Sequence, residues 1–173
     1  MDRIHASWRA AYVSDATEQS RNSDSSCVFC DLIERGVSKE SGIVFLDELV
    51  CCILNAYPYG SGHLLILPRR HEAALMALSE DESDALWRTA RAAVGTLERA
   101  YDPDGVNLGA NLGEAAGAGI PAHLHLHALP RWSGDTNFMT SISETRVLPE
   151  SLAETWDKVT GAWENPGDTP SSP

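Results

Sequence analysis

Between His123 and His127 the chain alternates histidine with leucine for five residues, and no other stretch constrains the fold as strongly. In an extended strand successive side chains point to opposite faces, so the three imidazoles share one face while Leu124 and Leu126 share the other. One face is suited to chemistry and the other to a core. At about 3.3 Å of rise per residue the outer two α-carbons lie roughly 13 Å apart, whereas a zinc–nitrogen bond is about 2.0 Å. Two neighbouring rings could converge on one ion, but three along a straight strand would strain. So strict a triplet does not read as one or two incidental surface histidines.

The triplet continues through Ala128-Leu129-Pro130-Arg131 to Phe138 (HLHLHALPRWSGDTNF). It is preceded by Asn55 to His71 (NAYPYGSGHLLILPRRH), Asn107 to Gly113 (NLGANLG) and Ala116 to Gly119 (AGAG). In this order the blocks resemble the signature of the histidine triad (HIT) family, nucleotide-binding proteins that work on phosphoanhydride and phosphoramidate bonds at an α-phosphate. They span most of Cys27 to Leu148. The resemblance implies an α+β fold: a HIT-like single domain with an antiparallel five-stranded sheet, one long covering helix and a C-terminal helix. It also implies a homodimer that joins the sheets.

A chain of 173 residues suits one domain with a sizeable core. The expected organisation is an arm and linker over 1–26, the HIT domain over 27–160 and a disordered tail over 161–173. The arm holds Trp8 and Tyr12 ahead of a polar stretch too poor in apolar residues to order itself, and ENPGDTPSSP at the other end is similar. No run of eighteen apolar residues occurs and the N-terminus lacks the apolar core of a secretory signal, so a cytoplasmic protein is expected. The net charge of −12 argues against non-specific binding to nucleic acid or to an anionic membrane. A polyanionic nucleotide would then rely on backbone amides, glycine turns and neutral histidines.

Cys51 and Cys52 are adjacent inside the apolar run Leu49 to Leu54, so they should face opposite sides of a strand as buried thiols. Cys27-Val-Phe-Cys30 has a metal-knuckle spacing, which zinc sites, redox pairs and coincidence all produce. A structural zinc needs four ligands. HIT proteins with this N-terminal Cys-x-x-Cys complete the metal with the His that closes Pro-x-x-His and with the first His of the triad, here His71 and His123. The resemblance therefore implies structural zinc on Cys27, Cys30, His71 and His123, against the alternative of two free thiols and two ordinary histidines. No organic cofactor is implied.

Along the chain, Ile43 to Leu46, Leu49 to Leu54 and His63 to Leu67 read as strands joined by turns, an antiparallel meander. Ser79 with Glu82 forms a capping box, and Leu86, Ala90, Val94, Leu97 and Tyr101 mark the apolar stripe of a core-covering helix that stops at Asp102-Pro103. Val106 to Ala110 is a further strand, and Val147 to Leu152 begins a final helix. Between strand and triad, Gly113, Gly117 and Gly119 allow the positive φ and close backbone approach that phosphate-binding amides need.

By resemblance, His125 is the nucleophile, His127 contacts phosphate oxygens or protonates the leaving oxygen, and His63 assists their geometry. Asn55, with Tyr59 nearby, resembles the nucleoside-side wall, although plain turn chemistry explains both equally well. Asn111 aligns with a position near the phosphates, and Asn107 reads as strand or turn packing. Many HIT hydrolases have Ala-Gly-Gln-Ser where this chain has Ala116-Gly117-Ala118-Gly119 with one extra residue before His123. That Gln-free loop, with Pro130-Arg131-Trp132 and Gly134-Asp-x-Asn137-Phe138, looks more like bacterial diadenosine tetraphosphate phosphorylases. Gly117, Ala118, Gly119 and Trp132 are accordingly expected at the substrate. The implied reaction is cleavage of a dinucleoside polyphosphate through a nucleotidyl-histidine, with inorganic phosphate as acceptor. Water as acceptor would make a hydrolase of dinucleoside polyphosphates or AMP phosphoramidates. A zinc hydrolase using His123 and His125, and a low-turnover nucleotide-binding regulator, are the other classes.

Overall fold

The computed structural model describes residues 27–135 and 150–166. The N-terminal arm, Asn137-Phe138, the Val147 start of the last helix and the end of the tail lie outside the described residues. Helix α1 spans Val28–Arg35, followed by strands β1 (Ile43–Leu46), β2 (Val50–Leu54) and β3 (Leu64–Pro68). Helix α2 (Glu80–Tyr101), strands β4 (Gly105–Ala110) and β5 (Leu126–Arg131) and helix α3 (Leu152–Ala162) complete the fold. The five strands form one antiparallel sheet in the order β1-β2-β3-β5-β4. The class is α+β, as expected.

The meander stops at β3. Helix α2, about 33 Å long at 1.5 Å per residue, carries the chain across the sheet, so β4 lands at the far edge and β5 turns back into the gap. Burial decides which strand takes the interior. Leu126 and Ala128 of β5 are buried, whereas β4 carries two glycines and is exposed at most of its positions.

Two apolar layers flank the sheet. On one face Val50, Cys52, Leu54, Leu64, Ile66, Leu124, Leu126 and Ala128 pack under α2 and α3, which contribute Leu86, Ala90, Leu97 and Val159. On the other, Ile43, Cys51, Ile53, Leu65 and Leu67 pack under Phe29 and Ile33 of α1. Cys51 and Cys52 thus lie on opposite faces, each fully buried.

The Ser79–Glu82 capping box starts α2 as the sequence predicts, and Asp102, in the left-handed region at φ 44°, ends it before Pro103. Glu82 also takes a paired hydrogen bond from Arg70, at 2.8 and 3.0 Å, which fastens the segment after β3 to the helix. Helix α3 opens on a second box, Ser151 with Glu154. Trp156 Nε1 donates to the Ile43 carbonyl at 3.1 Å, and Trp163 stacks on Phe45. Helix α3 runs to Ala162, and the indole of Trp163 just beyond it finds an apolar surface on Phe45.

Candidate functional site

The alternation of the triplet survives in the fold, but not as one strand. Pairing of β5 with β3 begins at Leu126, opposite Ile66, and His123 to His125 precede the ladder. The facing segment runs into Pro68, which has no N–H to give. Leu124 N donates instead to the Glu72 carbonyl at 2.7 Å. Leu124 and Leu126 enter the core under α2, while His123, His125 and His127 face away from it. The rings of His125 and His127 are 5.1 Å apart, centroid to centroid.

The three rings have separate partners. His123 faces the knuckle: its Nδ1 lies 3.4 Å from Cys27 Sγ and 3.8 Å from Cys30 Sγ, and His71 Nδ1 lies 3.5 Å from Cys30 Sγ. The candidate ligand atoms of Cys27, Cys30, His71 and His123 all lie within 4.8 Å of one another. A tetrahedron with Zn–S of about 2.3 Å and Zn–N of about 2.0 Å has S···N edges of about 3.5 Å, so the spacing fits an ion at the centre. The protonation pattern fits too. His123 Nε2 lies 2.8 Å from the Pro68 carbonyl, to which it donates, leaving the Nδ1 lone pair directed at the sulfurs. Burial holds the His123 pKa down, which keeps the ring in the ligating neutral form. Burial and the neighbouring Cys27 sulfur push the Cys30 thiol up to about 11, a repulsion that a cation between them removes.

His125 carries its proton on Nδ1, which donates to the His123 carbonyl at 2.8 Å, so Nε2 presents a lone pair. Burial lowers its pKa.

His127 is assigned by a chain of partners that begins at Asn55. Asn55 Oδ1 accepts from Tyr57 N at 2.9 Å, so its Nδ2 is the atom 3.3 Å from His63 Nδ1. Tyr59 N also donates to His63 Nδ1, at 3.0 Å. His63 Nδ1 is therefore an acceptor, and its proton sits on Nε2, 3.0 Å from His127 Nδ1. His127 in turn accepts at Nδ1 and holds its proton on Nε2, a buried atom without a hydrogen-bond partner among the described residues. Burial first, then His125, bring the His127 pKa down to about 4. The two rings thus offer a lone pair and an N–H donor side by side.

Of the other candidates, Asn55 is buried with both ends of its amide engaged as above, so the structure turns it towards His63 and the turn. Asn111 Nδ2 donates to the Gly117 carbonyl at 3.3 Å and so braces the glycine loop. Asn107 Oδ1 accepts from Arg131 Nη1 at 2.7 Å.

The loop itself differs from an open cradle. Ala116 and Ala118 donate to the Gly113 carbonyl and Gly117 donates to Glu114, because Glu114 to Ala116 form a short 3-10 turn closed by Gly117 at φ 89°. Among the described residues the amides of Gly119 and Ile120 have no backbone acceptor, and Ala118 is buried. Trp132 is not brought to the histidine face. It packs edge-on against Tyr101 at the end of α2, on the side of Ala128 and Pro130, since even-numbered residues of β5 face the helices.

Two aromatic residues complete the site. Phe29 turns its ring edge to both His123 and His125, at 5.5 and 5.4 Å. Tyr59 lies over His63 at 4.7 Å and parallels His127 at 6.0 Å. Local pattern does not signal Phe29 at the site, because the two histidine rings it meets lie more than ninety positions away.

A family model described as the HIT domain matches residues 37–134. An AP-4-A phosphorylase of Mycobacterium tuberculosis is 34% identical over 167 residues, covering 94% of this chain and 85% of its own length. The crystal structure of a hypothetical histidine triad nucleotide-binding protein from Sulfolobus tokodaii superposes with a TM-score of 0.64 at 28% identity, over 79% of this chain and 91% of that one. A Zn-bound histidine triad family protein from Mycobacterium smegmatis superposes with a TM-score of 0.64 at 26% identity, over 79% of this chain and 92% of that one.

Proposed function

The chain belongs to the HIT family, and from that premise we propose that it cleaves dinucleoside polyphosphates at the α-phosphate through His125, with inorganic phosphate as the acceptor, as an AP-4-A phosphorylase does. The pairing of the His125 Nε2 lone pair with the unpartnered N–H of His127 carries this reading.

His125 Nε2 attacks the α-phosphorus in line. The bond from phosphorus to the bridging oxygen breaks, and its electron pair leaves with the polyphosphate. The imidazolium formed on His125 keeps its Nδ1–H on the His123 carbonyl, which stabilises the new positive charge. His127 is neutral and donates from Nε2. Transferring that proton would leave an imidazolate, so its role is to hydrogen-bond a phosphate oxygen as charge develops. A phosphate leaving group with a second pKa of about 6 departs without needing the proton. In the second step a phosphate oxygen attacks the same phosphorus and breaks the P–N bond, which returns the electron pair to Nε2. With diadenosine tetraphosphate the products are ATP and ADP.

Zinc is the ion we assign to Cys27, Cys30, His71 and His123. When bound it supplies a structural cross-link between the N-terminal knuckle and the segment leading into β5. We further assign a homodimer through β4. That strand is a sheet edge without Lys or Pro, and Leu108 on it and Leu112 just beyond are 41% and 52% exposed. The described residues include no helix long and apolar enough to cross a membrane.

One observation favours water as acceptor instead: the amides of Ala116, Gly117 and Ala118 are engaged within their own loop, which narrows the cradle for a second phosphate. Product analysis with diadenosine tetraphosphate, with and without inorganic phosphate, separates the two. Phosphate-dependent ADP and ATP are expected, and AMP with ATP regardless of phosphate would make the protein a hydrolase. His125→Ala should lower turnover about a thousandfold or more, and activity surviving in it would overturn the covalent mechanism.

A further inference from the structure

We propose that the metal cluster sets the orientation of the His125 ring, with Phe29 as a positioning residue, so that metal occupancy tunes turnover and not folding alone. This rests on reading His125 as the nucleophile. Two connections run from the knuckle to that ring, one through hydrogen bonds and one through packing.

The first passes through His123. Its ring is held between the two cysteine sulfurs and the Pro68 carbonyl, while its own carbonyl accepts the Nδ1–H of His125. The residue that ligates the metal thus also chooses the tautomer of the nucleophile. A shift of the His123 backbone would lengthen the 2.8 Å bond that keeps the His125 proton on Nδ1.

The second passes through Phe29, which stands between the two knuckle cysteines in the first turn of α1 and is 5% exposed. Its ring meets His123 at an interplanar angle of 89° and His125 at 63°. On its other side His125 meets His127 at 66°. The nucleophilic ring is therefore bracketed, and one jaw of the bracket belongs to the knuckle. Cys27, the N-cap of α1, makes no side-chain cap hydrogen bond, and the helix is eight residues long. With both cysteines on a common ion, Phe29 cannot withdraw. Without the ion, what opposes tilting of the knuckle is the packing of Phe29 and Ile33, with the partly buried Leu32, on the sheet. A tilt that displaces Nε2 by about an ångström is enough to slow an in-line attack by up to a hundredfold.

The test compares zinc-loaded wild type, the same protein stripped with a chelator, and zinc-loaded Phe29→Leu. The measurements are metal content, thermal melting, kcat and KM with diadenosine tetraphosphate, and the long-range 1H–15N spectrum of the His125 ring, which reports tautomer and hydrogen bonding without turnover. Phe29→Leu should keep its metal and hold KM within about twofold, while kcat falls about tenfold and the His125 nitrogens move towards a mixture of tautomers. Stripped protein that retains its melting transition should show the same movement. Unchanged His125 nitrogens and kcat in metal-bearing Phe29→Leu overturn the proposal, as do unchanged nitrogens in stripped, folded protein. If stripping unfolds the chain, Phe29→Leu decides alone. Should wild type form no nucleotidyl-His125, the functional reading falls, and the response of the ring nitrogens still decides the coupling.

Discussion

Replacing His127 by Phe should remove part of the acid sensitivity of this protein. The His127 ring titrates at about 4 in the fold against an ordinary 6.5, because burial and then the neighbouring His125 disfavour its cation. A histidine whose folded pKa is lowered binds protons more weakly when folded. Between pH 6.5 and 4 the unfolded chain then holds more protons, and stability falls as the pH falls through that window. With the folded value at about 4, moving from pH 7.5 to 5.0 removes about 2 kcal/mol. The ring is only part-buried, and solvent screening reduces this to about 1 kcal/mol. Phe keeps the aromatic volume and does not titrate. Urea unfolding of both metal-loaded proteins at the two pH values reads the contribution as a double difference, since the metal ligands and carboxylates are common to both. Wild type should lose about 1 kcal/mol more than His127→Phe. Equal losses would refute the assignment of a neutral, part-buried His127, and with it the hydrogen-bond donor role.

Two further outcomes follow from the packing. Leu97 of α2 is fully buried in the layer over β5, so Leu97→Ala should cost about 2–5 kcal/mol, read by urea unfolding at pH 7.5. Leu108→Glu puts a charge on the exposed edge strand β4 and should shift the protein from dimer to monomer in sedimentation velocity, whereas a dimer that persists removes β4 as the interface.

Much of the site is legible in local sequence because its spacing is short. The period-two triplet separates histidines from leucines over five residues, and the capping box and apolar stripe of α2 lie within one helix. Such features depend on backbone geometry alone, which is the same wherever the element sits. Family resemblance extends further, to the grouping of Cys27 and Cys30 with His71 and His123, which spacing alone leaves ambiguous.

The tertiary structure decided what depends on distance through space. That β5 lies inside the sheet and β4 at its edge follows from competition between two strands for burial, which neither strand encodes by itself. Trp132 faces α2 because strand parity carries it there, so an aromatic residue five positions beyond the last histidine is not at the histidines. The glycine loop closes on itself through hydrogen bonds that composition does not reveal. The protonation states of the triad are set last of all, by the Asn55–Tyr59 turn acting through His63, by the Pro68 carbonyl and by the His123 carbonyl. The sequence determined that three imidazoles would share a face; which nitrogen of each would hold the proton was decided by neighbours that only the folded chain assembles, because a hydrogen bond requires contact within about 3 Å.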